Sequence, residues 1–179
     1  MQTVKMVVTG PFSAGKTEFI RSVSEIDVVS TERKISSEAE KVKETTTVAM
    51  DFGRITVDEE LVLYLFGTPG QKRFDFMWEI LSEGMLGFIV MVDSTRPETF
   101  REARSILETF KAYAPTPYVV AANKQDKPDA WEVEDMRHAL RLDHKIKLLS
   151  CVAIDKESVK TILLELLYSI LAEMESGAD

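Results

Sequence analysis

Residues 9–19 read TGPFSAGKTEF, in which Gly10 and Gly15 lie five positions apart and Lys16 and Thr17 follow the second glycine. An apolar, strand-like run over residues 4–9 precedes this segment, and a helical pattern over residues 16–25 begins inside it. Glycine lets the main chain approach a ligand closely, because it carries no side chain. The segment therefore predicts a binding loop between the first strand and the first helix of an α/β fold.

The spacing G-x-x-x-x-G-K-[ST] suits a polyphosphate ligand. We expect main-chain N–H groups to surround the phosphate oxygens, assisted by the helix N-terminus. They would come from Ser13, Ala14, Gly15, Lys16 and Thr17. Lys16 would neutralise the β and γ oxygens, and the Thr17 hydroxyl would be a ligand of Mg²⁺. A chance glycine turn is the alternative, and the strand-to-helix context argues against it.

Strand-like runs and helical patterns alternate through the rest of the chain. Further strands are expected over residues 48–57 and 61–66, as a hairpin, and over 87–93, 117–122 and 145–151. Helices are expected over residues 75–83, 97–113, 131–142 and 158–174. This order predicts an α/β, three-layer αβα fold of the P-loop NTPase type. It would have about six mostly parallel strands with helices on both faces, in one domain of 179 residues (1–179).

Composition excludes several classes of function. The formal net charge of −8 argues against broad nucleic-acid binding. Cys151 is the only cysteine, so a reducing compartment and a cytoplasmic location are expected. No apolar run approaches the roughly 20 residues that cross a bilayer, and no signal peptide is evident, so no integral membrane segment is expected.

A second motif, NKQD at residues 123–126, follows a predicted strand and addresses the base of the nucleotide. Asp126 would accept hydrogen bonds from the ring N–H and the exocyclic amine of guanine. Adenine lacks that pair of donors and would leave the carboxylate unsatisfied. Asn123 would hold the loop and contact the base, and the Lys124 stem would lie over the ring. Alone, such a tetrapeptide is often a polar turn. Its place after the phosphate loop strengthens the interpretation.

With these two motifs the sequence resembles the Ras-like small GTPases over essentially the whole chain. The stretches TTTVAMDFG and LYLFGTPGQKRFDFMW are most similar to bacterial members, the gliding-motility polarity GTPases and especially the conservon-operon GTPases. The resemblance implies a GTP/GDP switch with Mg²⁺, a first switch region at residues 26–47 and a second at residues 67–85. It also implies an effector that contacts the switches.

Several residue roles follow from the resemblance alone. Thr47 would bind Mg²⁺ and sense the γ-phosphate, with Thr46 as the alternative register. The Gly70 N–H would bond the γ-phosphate, and Gln71 would orient the attacking water. The loop Ser150, Cys151 and Val152 would offer backbone N–H groups to the guanine carbonyl.

The sequence departs from the family pattern in three places, and the first two bear on hydrolysis. Gly67 stands where the family usually has an Asp that holds Mg²⁺ through water, so another group, such as Asp93, or additional water would have to replace it. Phe12 and Ser13 replace small glycines in the phosphate loop, and Val152 replaces a lysine. The resemblance therefore implies slow intrinsic hydrolysis and an activating partner, which in the bacterial relatives is a Roadblock-type protein.

Two alternatives stay open. The leading interpretation is a switch that hydrolyses GTP. The alternatives are a scaffold that binds GTP with little hydrolysis and a P-loop kinase that prefers ATP. Arg54 and Arg73 are expected to be surface charges rather than catalytic groups. The aromatic cluster near Trp78 is expected in the core, unless exposed members mark an effector face.

Overall fold

The computed structural model describes residues 1–28, 50–70 and 74–177, together with the main chain of residues 33–35 and 46–48. The strands are β1 Gln2–Thr9, β2 Arg33–Ile35, β3 Thr46–Val48, β4 Asp51–Thr56, β5 Leu61–Gly67, β6 Gly87–Asp93, β7 Tyr118–Asn123 and β8 Leu148–Ser150. The α-helices are α1 Lys16–Val23, α2 Phe76–Ser82, α3 Phe100–Tyr113, α4 Val133–Ala139 and α5 Lys156–Ser176, and a 3₁₀ turn, Pro97–Thr99, precedes α3.

Within the described part of the chain, six strands form the main sheet in the order β4-β5-β1-β6-β7-β8. β1 pairs in parallel with both β5 and β6, and β7 and β8 continue the parallel arrangement. Only β4 in this sheet is antiparallel, because it forms a hairpin with β5. The expected six-stranded, mostly parallel α/β fold is confirmed.

Helices cover both faces of this sheet, so its strands are apolar on both sides. On one face, Phe19 of α1 and Ile162 and Leu166 of α5 pack with Met6 of β1. On the other face, α2, α3 and α4 pack against side chains that point the opposite way, such as Phe88 of β6. All seven residues of β6 are buried, as a central strand between two helical layers requires.

The closing helix α5 is amphipathic and lies along the sheet. Its buried stripe includes Val159, Leu163 and Ile170, whereas Leu171, which the sequence placed in the core, is 39% exposed. Among the helices that the structure describes, none is both long and apolar enough to cross a membrane.

The predicted strand over residues 48–57 is wrong as a single element. Thr46–Val48 pairs with Arg33–Ile35 in a separate two-stranded sheet, whereas Asp51–Thr56 pairs with β5. Both segments have strand-forming sequences, but the pairing partner changes between them. Strand propensity reports a preference for extended chain and does not report which neighbour completes the ladder.

Candidate nucleotide-binding site

The carboxyl ends of the parallel strands bring both sequence motifs to one edge of the sheet. Loops after β1, β5, β6, β7 and β8 meet there, which is where ligands bind in open α/β sheets. The Thr68 hydroxyl, after β5, donates to the Thr9 hydroxyl at the end of β1 over 2.8 Å. Segments far apart in the sequence therefore form one continuous rim.

The phosphate loop takes a shape that requires both of its glycines. Gly10 has φ +145° and Gly15 has φ +103°, and side-chain-bearing residues rarely adopt either value. A β-carbon at Gly10 would overlap the carbonyl oxygen of Met91, and one at Gly15 would overlap the side-chain amide of Asn123. Ser13 also has a positive φ, +63°. The loop is thus pressed against β6 and against the base motif.

Lys16 is held over the phosphate loop by contacts that its side chain makes within the protein itself. Its side chain is only 8% exposed, and its ammonium group donates to the carbonyl oxygens of Gly10 and Pro11 over 2.7 and 2.8 Å. Burial lowers the pKa of Lys16 to about 8, against the opposing effect of the nearby Asp51 and Glu102 carboxylates. A cation that is buried among carbonyl groups is well placed to receive a phosphate oxygen.

Asp51 is a candidate site residue that the sequence patterns did not indicate. The Thr17 hydroxyl donates to Asp51 Oδ2 over 2.5 Å. Asp51 is also the ladder partner of Gly67, and a β-carbon at Gly67 would lie 3.1 Å from the Asp51 Cβ. A carboxylate from the neighbouring strand therefore lies beside position 67. This position follows from the register of the hairpin, in which Thr56 pairs with Val62 and Asp51 with Gly67.

Asn123 joins the base motif to the phosphate loop. Its side-chain amide donates to the Ala14 carbonyl over 2.9 Å, and its Oδ1 accepts from the Ala153 N–H over 2.9 Å. The residue is 2% exposed, so both bonds are shielded from water. Three loops are thereby held in fixed relation, and Asp126, three residues further, is exposed to solvent.

Asp93 anchors Lys124 rather than the Thr17 hydroxyl. The Lys124 ammonium lies 2.6 Å from Asp93 Oδ2 and 3.4 Å from the Ser13 carbonyl oxygen. Thr95 donates to the other carboxylate oxygen from its N–H and its hydroxyl. Burial raises the pKa of Asp93, but the hydrogen bonds from Lys124 and Thr95 outweigh it, so the pKa lies below its usual value. The suggestion that Asp93 replaces the missing carboxylate at position 67 is not supported by this geometry.

The loop after β8 has its amides engaged within the protein. The Cys151 N–H donates to the Ala122 carbonyl and the Val152 N–H donates to the Ser158 hydroxyl, each over 2.9 Å. A base carbonyl would reach the Val152 N–H by displacing that hydroxyl. Burial raises the pKa of the Cys151 thiol to about 12, so this side chain stays protonated. Ser150, at the end of β8, is exposed.

Several residues predicted near the γ-phosphate lie wholly or partly outside the described part of the structure. Gln71 lies outside the described residues, as does Arg73. The main chain of Thr47 pairs with Lys34 in the two-stranded sheet, and its side chain, like that of Thr46, is not described. Gly70 is described, and a β-carbon there would lie 2.9 Å from the Lys16 ammonium.

Other candidates divide into buried and exposed groups. Phe12 in the phosphate loop is 61% exposed. Arg54 lies three positions along β4 from Asp51, which separates the two α-carbons by about 10 Å along the strand. In the cluster after the second switch, Phe74 and Trp78 are buried, but Phe76 is 58% exposed. Among the described residues, no group of three or more His, Cys, Asp or Glu is arranged to hold a metal ion.

A six-stranded α/β sheet, a glycine loop with a buried lysine and a second loop bonded to it define a P-loop nucleotide-binding protein. The chain belongs to the family described as conserved hypothetical ATP binding protein, whose profile matches residues 27–173.

Individual relatives are similar over most of the chain. An uncharacterized protein of Methanocaldococcus jannaschii is 32% identical over 126 residues, which are 70% of this chain and 73% of that protein. Human ADP-ribosylation factor-like protein 4C is 28% identical over 148 residues, covering 81% of this chain and 72% of its own length. Human Ras-related protein Rab-3A is 25% identical over 181 aligned residues, covering 98% and 77%. These similarities support the Ras-like superfamily.

Proposed function

We propose that this protein is a small GTPase that alternates between GTP-bound and GDP-bound forms. The observation that carries the proposal is the pair of hydrogen bonds through which Asn123 joins the phosphate loop to the base motif. They set the phosphate-binding amides and the Asp126 carboxylate in one rigid frame. The similarity to Arf-like and Rab proteins supports the same conclusion.

The phosphate tail would be bound by the main-chain amides of Ser13 to Thr17 and by Lys16. Lys16 would exchange its bonds to the Gly10 and Pro11 carbonyls for bonds to β and γ oxygens. Guanine would lie between the Lys124 stem and the loop after β8, with Asp126 accepting from its two N–H donors. Cys151 would contribute to this loop through its main chain, because its thiol is buried.

The residues around Thr17 fit a Mg²⁺ site of the kind that keeps several waters. Magnesium is usually held by one or two protein oxygens together with phosphate oxygens and waters. The Thr17 hydroxyl would bind the ion directly, and Asp51 would accept hydrogen bonds from its waters. Thr47 is proposed as a further ligand in the GTP form. Bound Mg²⁺ would neutralise charge on the β and γ oxygens.

Replacing Asp51 with asparagine is expected to weaken the dependence of nucleotide binding on Mg²⁺. The amide keeps an oxygen for the Thr17 hydroxyl but loses the negative charge. We expect the Mg²⁺ concentration needed to slow GDP dissociation to rise roughly 10–100-fold, as for other residues that support metal ligands. Dissociation of a fluorescent GDP analogue, followed across a Mg²⁺ titration and in EDTA, measures this shift.

Asp93→Asn is the matched control, because it removes a buried carboxylate that contacts Lys124 instead of Thr17. It should speed dissociation to the same degree with and without Mg²⁺. An Asp51→Asn protein with the Mg²⁺ dependence of wild type would remove Asp51 from the proposed site.

Hydrolysis is proposed to be slow without a partner. Water would attack the γ-phosphate in line, oriented by Gln71, while the Gly70 N–H bonds a γ-phosphate oxygen. The segments 26–47 and 67–85 are proposed as the switches that release when the γ-phosphate leaves. Within the described residues no arginine reaches the phosphate loop, and a missing arginine costs about 10³–10⁵ in rate. A Roadblock-type activating protein, as in conservon-type GTPases, is the proposed partner, in a cytoplasmic setting.

Replacing Phe12 with glycine is expected to raise the intrinsic rate of phosphate release several-fold, up to roughly tenfold. The Phe12 ring is exposed, and a β-carbon at Gly70 would lie 2.7 Å from the Phe12 α-carbon, so the two main-chain segments are in close contact. We therefore expect removal of the ring to open the approach to a γ-phosphate bound at Gly70. Single-turnover phosphate release from GTP-loaded protein measures the effect. Phe12→Leu keeps a large side chain and should behave as wild type. Equal rates in all three proteins would show that the ring does not restrict hydrolysis.

Two other functions remain to be separated by experiment. The family description names ATP, and a P-loop kinase would prefer ATP; calorimetric titration with GTP, GDP and ATP in Mg²⁺ tests this. We expect GTP and GDP to bind at least roughly 100-fold more tightly than ATP, because a site built to bond a substrate N–H rejects analogues that lack it. Tighter ATP binding would overturn the proposal. A GTP-binding scaffold would release no phosphate with or without its partner.

A further inference from the structure

A groove of about 800 Å³ runs between α2 and α3, and its α2 wall belongs to the second proposed switch, residues 67–85. Its walls include aromatic and aliphatic side chains, and its rim is rich in carboxylates. The apolar members are Phe76, Trp78, Ile106 and Tyr113, and the acidic members are Asp75, Glu79, Glu98 and Glu102. Arg101 is the one cationic residue among the described lining residues.

The apolar side of this α2–α3 groove is open to solvent. Phe76, which lines the groove, is 58% exposed. Ile80, one turn later on α2 and beside the groove, is 62% exposed. Trp78, by contrast, is buried and packs 5.8 Å from the Phe110 ring of α3, which keeps the two helices together. A helix with one buried and one exposed apolar face has a surface suited to another protein.

The charge on the rim selects among possible partners. Four carboxylates against one arginine give a negative field in the groove. Burial raises the pKa of Tyr113, which lies in the groove, and the Glu79 and Asp75 charges raise it further. Acidic or neutral segments would meet repulsion or leave these carboxylates unpaired, whereas a basic segment would complement them.

We propose that the α2–α3 groove binds a basic amphipathic helix of a partner protein. Apolar side chains of that helix, at i, i+3 and i+4 spacing, would contact the exposed Phe76 and the half-buried Tyr113, as in other helix-in-groove complexes. Its lysines and arginines would face Glu79 and Glu102 on the rim. The net charge of −8 on the whole chain also favours encounter with a cationic partner.

The groove is joined to the phosphate loop through a short path. The Trp78 indole N–H donates to the Pro69 carbonyl oxygen over 3.1 Å. The next residue, Gly70, lies against Phe12 and Lys16. If Gly70 bonds the γ-phosphate, a step that rests on the proposed function, Pro69 shifts with it and so does the Trp78 wall. The groove would then bind its helix with different affinity in the GTP and GDP forms.

The experiment starts from a phage-displayed library of helical peptides selected on protein loaded with a non-hydrolysable GTP analogue. We expect the enriched peptides to be cationic on one face and apolar on the other. Affinity of an enriched peptide is then measured by calorimetry at low and high salt, and for both nucleotide forms. It should fall as salt rises, because the rim charges are exposed.

Matched variants locate the site. The double variant Glu79→Lys, Glu102→Lys and the variant Phe76→Ala should each weaken the peptide at least tenfold. The controls are on α5. Glu173→Lys reverses the charge of another exposed carboxylate, and Tyr168→Ala removes an aromatic side chain that is 60% exposed, close to the value for Phe76. Each control should change the peptide affinity less than twofold. Circular dichroism and thermal unfolding establish that all the variants are folded.

Several results would overturn the inference. They are enrichment of neutral or acidic peptides, absence of any enrichment, and equal binding to wild type and the Glu79, Glu102 double variant. Equal affinity of the two nucleotide forms would overturn the coupling to the phosphate loop. Nucleotide binding is measured on the same preparations, so its absence contradicts the proposed function, whereas loaded protein that selects no cationic peptide contradicts the groove assignment alone.

Discussion

Replacing Lys16 with alanine is expected to abolish tight binding of both GTP and GDP. The lysine is buried above the phosphate loop, and its two present bonds, to Gly10 and Pro11, go to carbonyl oxygens that a phosphate can replace as acceptors. Truncating one partner of a buried, charged hydrogen-bonded pair costs about 2–5 kcal/mol or more. At 1.4 kcal/mol for each factor of ten, affinity should fall by roughly 30-fold to several thousand-fold.

Calorimetric titration of wild type and Lys16→Ala with GDP in Mg²⁺ measures this loss. Lys5→Ala is the matched control, because the Lys5 ammonium also donates to a carbonyl, that of Glu83, but lies away from the phosphate loop. It should bind GDP as wild type does. Thermal unfolding without nucleotide separates lost affinity from lost fold. Folded Lys16→Ala protein that binds GDP unchanged would remove the phosphate-loop assignment.

Replacing Asp126 with alanine is expected to remove the preference for guanine over adenine. In the proposed complex the carboxylate would accept from two donors that guanine has and adenine lacks, so its loss should weaken GTP binding by roughly 100-fold and leave ATP binding nearly unchanged. Because Asp126 is exposed and lies beyond the buried Asn123, the substitution leaves the bonds from Asn123 to Ala14 and Ala153 in place. The phosphate loop should therefore keep its shape.

Competition of GTP, ATP and ITP against a fluorescent guanine nucleotide tests this second expectation. ITP lacks the exocyclic amine, so it should bind wild type less tightly than GTP but bind Asp126→Ala about as well as GTP does. Asp129→Ala, an exposed carboxylate in the same loop, is the control and should keep the wild-type order. An unchanged GTP preference in Asp126→Ala would mean that base selection lies elsewhere and would favour the ATP reading of the family description.

The fold was predictable from the sequence because its signals are local. The β1 run, the glycine loop and the start of α1 are contiguous, and their order alone indicates the parallel α/β arrangement that the structure confirms. The boundaries were less predictable. The helix expected over residues 131–142 is Val133–Ala139, and the strand expected over residues 145–151 is Leu148–Ser150. Helix ends and edge strands depend on contacts with the rest of the molecule.

Part of the candidate site was predictable for the same reason. Each motif consists of residues that lie within a few positions of one another in the sequence. Each also lies at the carboxyl end of a parallel strand, β1 or β7. The role of Asp51 was not predictable from a motif, because it depends on the register between β4 and β5. The contact between Lys124 and Asp93 was also not predictable from a motif, since the two residues lie 31 positions apart along the chain and meet only in the fold.

The sequence by itself determined the order of strands and helices, the glycine loop with Lys16 and Thr17, and the tetrapeptide from Asn123 to Asp126. Each is a pattern whose spacing is already present in the unfolded chain. Only the tertiary structure decided that Asp51 stands beside Gly67, that the Val152 amide is bonded to Ser158, and that acidic residues of α2 and α3 border one groove. These contacts depend on strand register and helix packing, which bring together residues that share no motif and, for the most part, lie far apart in the sequence.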